Sequence, residues 1–128
     1  MLQILAISQY TDTVPFSTLT KPVYEAKAEL FKALGHPARI RVLELLSDGP
    51  RPVSFLLQET GLEAPALSQQ LAVVKRIGLI ESSRHAHGVT YQLTDPSVIE
   101  FLGAARKVLA STLGRSRDAL ADLEGGPS

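Results

Sequence analysis

The chain predicts a mainly α-helical fold with one β-hairpin, and three features carry that prediction. From Pro22 to Ile77, apolar residues recur at the three- and four-residue spacing of helices that bury one face. Two short strand-like runs, Leu79–Ser83 and Val89–Leu93, then flank the tip His85-Ala86-His87-Gly88. A last helical stretch from Pro96 to about Leu123 keeps a heptad-like seam.

Each element has its own signature. Residues 1–21 lack a clear period and read as an N-terminal extension, loose or packed on a partner subunit. In the first helix Val23, Leu30, Phe31 and Leu34 share a face, and Gly35 stops it. His36 precedes Pro37, whose fixed φ suits a first helical position, so His36 is expected to cap or pack there. The second helix points Ile40, Leu43 and Leu46 inward, and its Arg39 and Glu44 are expected to pair within the protein. The third, about Val53 to Thr60, buries Leu56 and Leu57, and Gly61 closes it with a positive φ that costs glycine no Cβ clash. The fourth lies within residues 64–77 after a short turn, and the two together have the length of a helix-turn-helix. Gly88 supplies the hairpin turn, and Asp95-Pro96 starts the last helix, Asp as cap and Pro at the first position. There Val98, Leu102, Ala105, Leu109, Thr112, Ser116, Ala119 and Leu123 alternate four and three apart. A helix of that length exceeds what a four-helix core can cover, so it is expected to pair with a second subunit. Residues 22–123 thus read as one domain, and the polar tail 124–128 as disordered.

Composition narrows the classes of function. At 128 residues the chain can hold a core but has little room for a deep enzymatic pocket. It is 45% hydrophobic and 20% charged, an ordinary globular balance. With no Trp, the core must come from Leu, Val, Ile and Ala. Thirteen basic residues balance 13 acidic ones, which argues against a nonspecific nucleic-acid binder. Local charge decides contact, however, and between Ala64 and Tyr91 stand Lys75, Arg76 and Arg84 against Glu81, with His85 and His87 beside them. The absence of cysteine removes disulfides, thiolate metal sites and catalytic thiols. No apolar run reaches the ~18 residues that span a bilayer, and the opening MLQILAIS lacks the basic start of a signal peptide. A cytoplasmic protein without a membrane partner is expected. No glycine-rich phosphate loop, nucleophile elbow or His beside a nucleophile and an acid occurs, so no enzyme is expected.

The fourth helix carries the chemistry. Leu67, Leu71, Val74 and Gly78 lie on one side, while Pro65, Ser68, Gln69, Ala72 and Arg76 lie opposite, at about 100° per residue. A merely solvated face normally carries more charge. Small and polar side chains let a helix sit deep in a major groove, where Gln pairs with adenine and Arg with guanine or phosphate. Ser68, Gln69 and Arg76 are therefore the candidates for base edges, and Lys75 for a phosphate. Gln70 lies nearer the buried side and serves either DNA or a bond within the protein. Arg84, His85 and His87 form the hairpin tip. Two histidines one apart in a strand point the same way, which suits a phosphate or a metal. Two ligands leave a metal site incomplete, so phosphate or minor-groove contact is favoured.

The order helix, helix, helix-turn-helix, hairpin wing, long helix is that of a winged helix-turn-helix, and the chain resembles the ArsR/SmtB family of bacterial dimeric repressors. LFKALGHPARIRVLELL at 30–46, LSQQLAVVKRIGLI at 67–80 and VTYQLTD at 89–95 carry the likeness, which spans about residues 22–110. Actinobacterial members with LSQQL, here 67–71, and ARKVL, here 105–109, are the nearest in wording. The resemblance implies a homodimer joined through its N- and C-terminal helices. It also implies binding to a palindromic double-stranded operator through the 64–77 helix and the 84–90 wing, repression, and release by an effector. Two departures put the operator sequence apart from that of better-known relatives. The family's Ser-x-His-Leu-like core reads Ser68-Gln69-Gln70-Leu71, and Ala64-Pro65 stand where polar residues are usual. The family's standard metal ligands are also missing. No cysteine lies near Val53 to Leu56, and in the last-helix site Asp95 is joined only by Ser97, Val108 and Ser111. One oxygen donor does not hold a transition metal. No cofactor is expected; an atypical metal site, a small organic effector and no effector all remain open. The alternative reading is a winged-helix adaptor for protein partners without sequence-specific DNA binding, favoured by the neutral charge and Ala64-Pro65.

Overall fold

The computed structural model describes residues 20–123, so the expectations for residues 1–19 and for the tail 124–128 lie outside the described residues. In chain order the elements are α1 (Val23–Leu34), α2 (Pro37–Leu46), β1 (Arg51–Pro52), α3 (Val53–Thr60), α4 (Ala64–Arg76), β2 (Ile80–His85), β3 (Gly88–Leu93) and α5 (Ser97–Leu123). They form two compact units, one ending at Asp95 and the other beginning at Pro96.

In the first unit α2 is the central helix, packed against α1, α3, α4 and β3. That position explains why its buried set, Val42, Leu43, Leu45 and Leu46, is wider than the single face expected from sequence. Ile40, expected inward, is only half-buried. A helix touched from several sides has no one inner stripe, and one-face periodicity under-reads it. His36 caps α2 as expected: its Nδ1 accepts from the Ala38 N–H at 3.1 Å, with Pro37 leading the helix. The rest of the core comes from Ala33 and Leu34 of α1, Leu56 of α3, Leu67, Leu71 and Val74 of α4, and Ile80 of β2. No polar or charged residue among those described is buried with them.

Two further expectations fail on burial. Val23 and Phe31 of α1 are 70% and 59% exposed, so the face drawn through them is not the one the core covers. Only the last turn of α1 reaches the core, through Ala33 and Leu34. Leu57 of α3 is half-buried, leaving Leu56 as that helix's buried residue. Lys21, at the end of the expected extension, is ion-paired with Glu29 and thus tied to α1.

The hairpin is longer than expected and gains a neighbour. Strands β2 and β3 pair antiparallel from Ile80↔Leu93 to His85↔Gly88. The two-residue strand β1 adds antiparallel to the other side of β3, giving the order β1-β3-β2. Strand β1 is too short for any periodicity to announce it, and Pro52 sits on an edge, where a missing N–H is tolerated. The turn residues are Ala86 and His87, neither of which has positive φ; Gly88 takes it instead, at 121°. Gly61 likewise ends α3 in the left-handed region, at φ 70°, as the sequence requires. Helix α3, the turn at Gly61, α4 and the β2–β3 wing make a winged helix-turn-helix.

The second unit is α5 alone. It begins at Ser97, one residue after the expected Pro96, and runs for 27 residues. Val98 is its buried residue, while Val108, Leu109, Leu113, Leu120 and Leu123 are exposed. The large leucines trace a second line beside the expected seam. Leu102, Leu109, Leu113 and Leu120 fall within about 40° of one another on a helix of about 100° per residue. Thr112 and Ser116 of the expected seam bond back to the Val108 and Thr112 carbonyls at 2.9 and 3.1 Å.

Candidate nucleic-acid interface

Helix α4 is held so that its polar side faces outward. Leu67, Leu71 and Val74 are buried, and the helix packs against α2, α1 and β2. Pro65 stands in its first turn, where the absent N–H leaves no bond unmade. On the opposite side Ser68, Gln69, Ala72, Lys75 and Arg76 are all exposed. The surface is therefore hydroxyl, amide, methyl and two cations, with Lys75 and Arg76 in the last turn, where cations also suit the helix dipole.

The end of α4 is locked to the wing. Gly78, at φ 89°, lets its N–H reach the Lys75 carbonyl at 3.0 Å while the Leu79 N–H reaches Val74 at 3.1 Å. That bond pair is a Schellman stop, which satisfies carbonyls the helix would otherwise leave open. Thr94, just past β3, closes the junction: its N–H bonds Leu79 O at 3.1 Å and its Oγ1 bonds Gly78 O at 2.7 Å. Lys75 Nζ donates to Ser82 Oγ of β2 at 2.8 Å, tying the last turn of α4 to the strand beside it. Helix α4 and the wing are thus hydrogen-bonded into one unit.

The expected site residues fall into three settings. Ser68, Gln69 and Arg76 share the open face of α4. Arg84, His85 and His87 are exposed at the wing. His85 ends β2 with Nε2 2.6 Å from Thr90 Oγ1, and His87 lies in the turn rather than in a strand. Strand alternation therefore does not set the two imidazoles side by side, contrary to the expectation from their spacing. Among the described residues, no group of three or more His, Cys, Asp or Glu side chains is placed to hold a metal ion.

Gln70 stands apart. It is half-buried, and its Oε1 accepts from Arg39 Nε at 2.8 Å. Reading adenine takes both the carbonyl and the amide of a glutamine. The Arg39 bond thus ties Gln70 into the protein, while Gln69 beside it is exposed. Arg39 and Glu44 both pair internally as expected, Glu44 with Arg41 at 3.7 Å. Ser82 and Thr90 went unnoticed in the sequence, because their roles depend on strand register and no periodic signal marks them.

A family model described as the bacterial regulatory protein, arsR family, matches residues 36–82, from the cap of α2 through α4 into the wing. The chain is 46% identical over 110 residues to the HTH-type transcriptional regulator Rv0081 of Mycobacterium tuberculosis, covering 85% of this chain and 96% of that one. This chain belongs to the arsR family of bacterial regulatory proteins. The crystal structure of Rv0081 matches the fold of this arsR-family chain with a TM-score of 0.70, covering 76% of this chain and 98% of that one. The transcriptional repressor BigR from Xylella fastidiosa matches at 32% identity and a TM-score of 0.62, covering 66% and 87%. A homodimeric winged helix-turn-helix DNA-binding domain from Mycobacterium bovis, Mb0332, matches at 26% identity and 0.65, covering 73% and 86%. The family and its named relatives are regulators of transcription rather than enzymes. No helix of the described residues is long and apolar enough to cross a membrane.

Proposed function

We propose that this arsR-family chain is a homodimeric repressor that reads a palindromic operator with α4 and grips the flanking backbone with the β2–β3 wing. The observation that carries the reading is the outward face of α4: Ser68, Gln69, Ala72 and Arg76 exposed together over a buried leucine-valine side. In this arrangement Ser68, Gln69 and Arg76 meet base edges, while Lys75, Arg84, His85 and His87 meet phosphates. Gln70 acts from within the protein. BigR, a similar protein named as a transcriptional repressor, supports the direction of control.

Subunit pairing supports the same reading. Val23, Tyr24 and Phe31 of α1 are exposed, and so are the large apolar residues of α5. Large apolar side chains left exposed along a helix mark an interface, and the similar Mb0332 domain is homodimeric. A dimer sets two α4 helices about 34 Å apart, one turn of DNA, so any effector that changes their separation releases the operator.

Gel-shift titration of the DNA upstream of the chain's own gene tests the reading. Tight binding at low salt that falls steeply by moderate salt is the expected result, because phosphate contacts release counterions. No binding at low salt would sink it and leave the adaptor reading. Equilibrium dialysis with Zn and Ni separates effector classes, since a metal sensor binds about one ion per subunit tightly.

A further inference from the structure

Arg39 is placed where its own helix does not favour it. It sits in the first turn of α2, which carries no acid, so the positive end of the helix dipole opposes its charge. What offsets that placement is the pair of acceptors it holds. Nη1 donates to the Ala33 carbonyl at 3.1 Å, in the last turn of α1, where helix carbonyls lack intrahelical partners. Nε donates to Gln70 Oε1 at 2.8 Å, in the middle of α4. One planar, always charged group thus joins the carbonyl end of α1 to the flank of the reading helix, a fork geometry that lysine cannot reproduce. All three residues are buried or half-buried, so the bonds are shielded from water competition.

We propose that Arg39 is a positioning residue that locks α4 to α1 through Gln70, and that this lock sets which half-site spacing the dimer accepts. The inference rests on the operator-binding reading above, in which α1 contributes to subunit pairing. If the pairing helix and the reading helix are bonded through a rigid fork, the separation of the two α4 helices follows from the dimer geometry. Without the fork, α4 samples orientations that do not match both grooves. Apparent affinity then drops by the fraction of time the matched orientation is populated. Neither Arg39 nor Gln70 needs to touch DNA for this to occur, and the count of phosphate contacts stays the same.

The test uses the full-length protein and a duplex that it selects from a random-sequence pool, with versions carrying one base pair more or fewer between the half-sites. One base pair shifts the half-sites by about 3.4 Å and about 34°. Wild type should discriminate sharply among the three duplexes. Arg39→Lys, which keeps the charge, should weaken binding to the selected duplex about tenfold, the scale of one charged hydrogen bond. It should also narrow the gap to the altered spacings and leave the salt slope unchanged. Gln70→Met should do the same, and the double variant should be no worse than the weaker single one. Gln70→Met carries the test alone if thermal melting shows that Arg39→Lys does not fold. Arg39→Lys binding as wild type, a flatter salt slope, additive losses, or weakened binding with the spacing preference intact would each overturn the proposal. Failure of the wild type to bind DNA at low salt is a different outcome: it overturns the repressor reading and this inference with it.

Discussion

Helices α4 and α5 each leave one side uncovered, and the uncovered sides differ in kind. Helix α4 buries Leu67, Leu71 and Val74 and turns hydroxyl, amide and cationic groups outward. Helix α5 buries Val98 and turns Leu109, Leu113, Leu120 and Leu123 outward. Water solvates the first surface well, so only a partner with matching polar groups gains by displacing it, and the grooves of DNA offer such groups. Water solvates the second poorly, so an apolar partner suffices, and another copy of α5 presents the same stripe. On the proposed reading, recognition rests on α4 and pairing on the apolar faces of α1 and α5, separate surfaces of a neutral chain.

That separation can be broken from either side. The largest effect is expected from Leu109→Glu with Leu113→Glu on the α5 stripe. Each leucine is worth roughly 2 kcal/mol when buried, and a carboxylate in its place resists desolvation. Sedimentation should show subunit pairing weakened about a hundredfold or more, with operator affinity falling alongside it; an unchanged dimer would remove α5 from the interface. Next comes Gln69→Ala with Arg76→Ala on α4. At about 1–3 kcal/mol for each base contact, operator affinity should fall by about a hundredfold in gel shifts while sedimentation stays as wild type. Affinity equal to wild type would show that these side chains do not read the operator.

Two smaller effects sharpen the contrast. Arg84→Ala in the wing removes one phosphate contact, so binding should weaken severalfold at moderate salt and the log–log salt slope should flatten by about 1. A slope that does not move would place Arg84 off the backbone. Smallest of all is Val108→Ala. Val108 is 67% exposed but lies about 100° round the helix from Leu109, away from the leucine stripe. Pairing should stay within about twofold of wild type, as for surface changes outside an interface. A large loss would widen the stripe and redraw the proposed contact.

Much of this arrangement is legible in the sequence. Gly61 and His36-Pro37 announce their roles in the sequence, since each acts on its nearest neighbours, whereas the helical repeat places Gly78 on an apolar face and hides its part in the Schellman stop. The outward placement of Ser68, Gln69 and Arg76 followed from the helical repeat. What misled was periodicity taken beyond its reach. In α1 the repeat ran through Val23 and Phe31, which the core of this chain does not cover. In α5 the four-three alternation steps three residues from Leu109 to Thr112, whereas the leucine stripe steps four to Leu113 and then seven to Leu120.

Local chemistry in the sequence therefore set the elements, their stops and the polar character of the reading face, because helix repeats, caps and glycine turns depend on residues a few positions apart. The roles of Gln70, Lys75, His85 and the strand β1 were decided by folding. Arg39 and Gln70 are 31 residues apart, Lys75 and Ser82 seven, and Arg51 pairs with Tyr91 across the sheet. No repeat encodes which distant donor meets which acceptor; that follows from packing α1, α3 and α4 around α2, which brings a guanidinium within hydrogen-bond reach of one glutamine and leaves its neighbour Gln69 exposed.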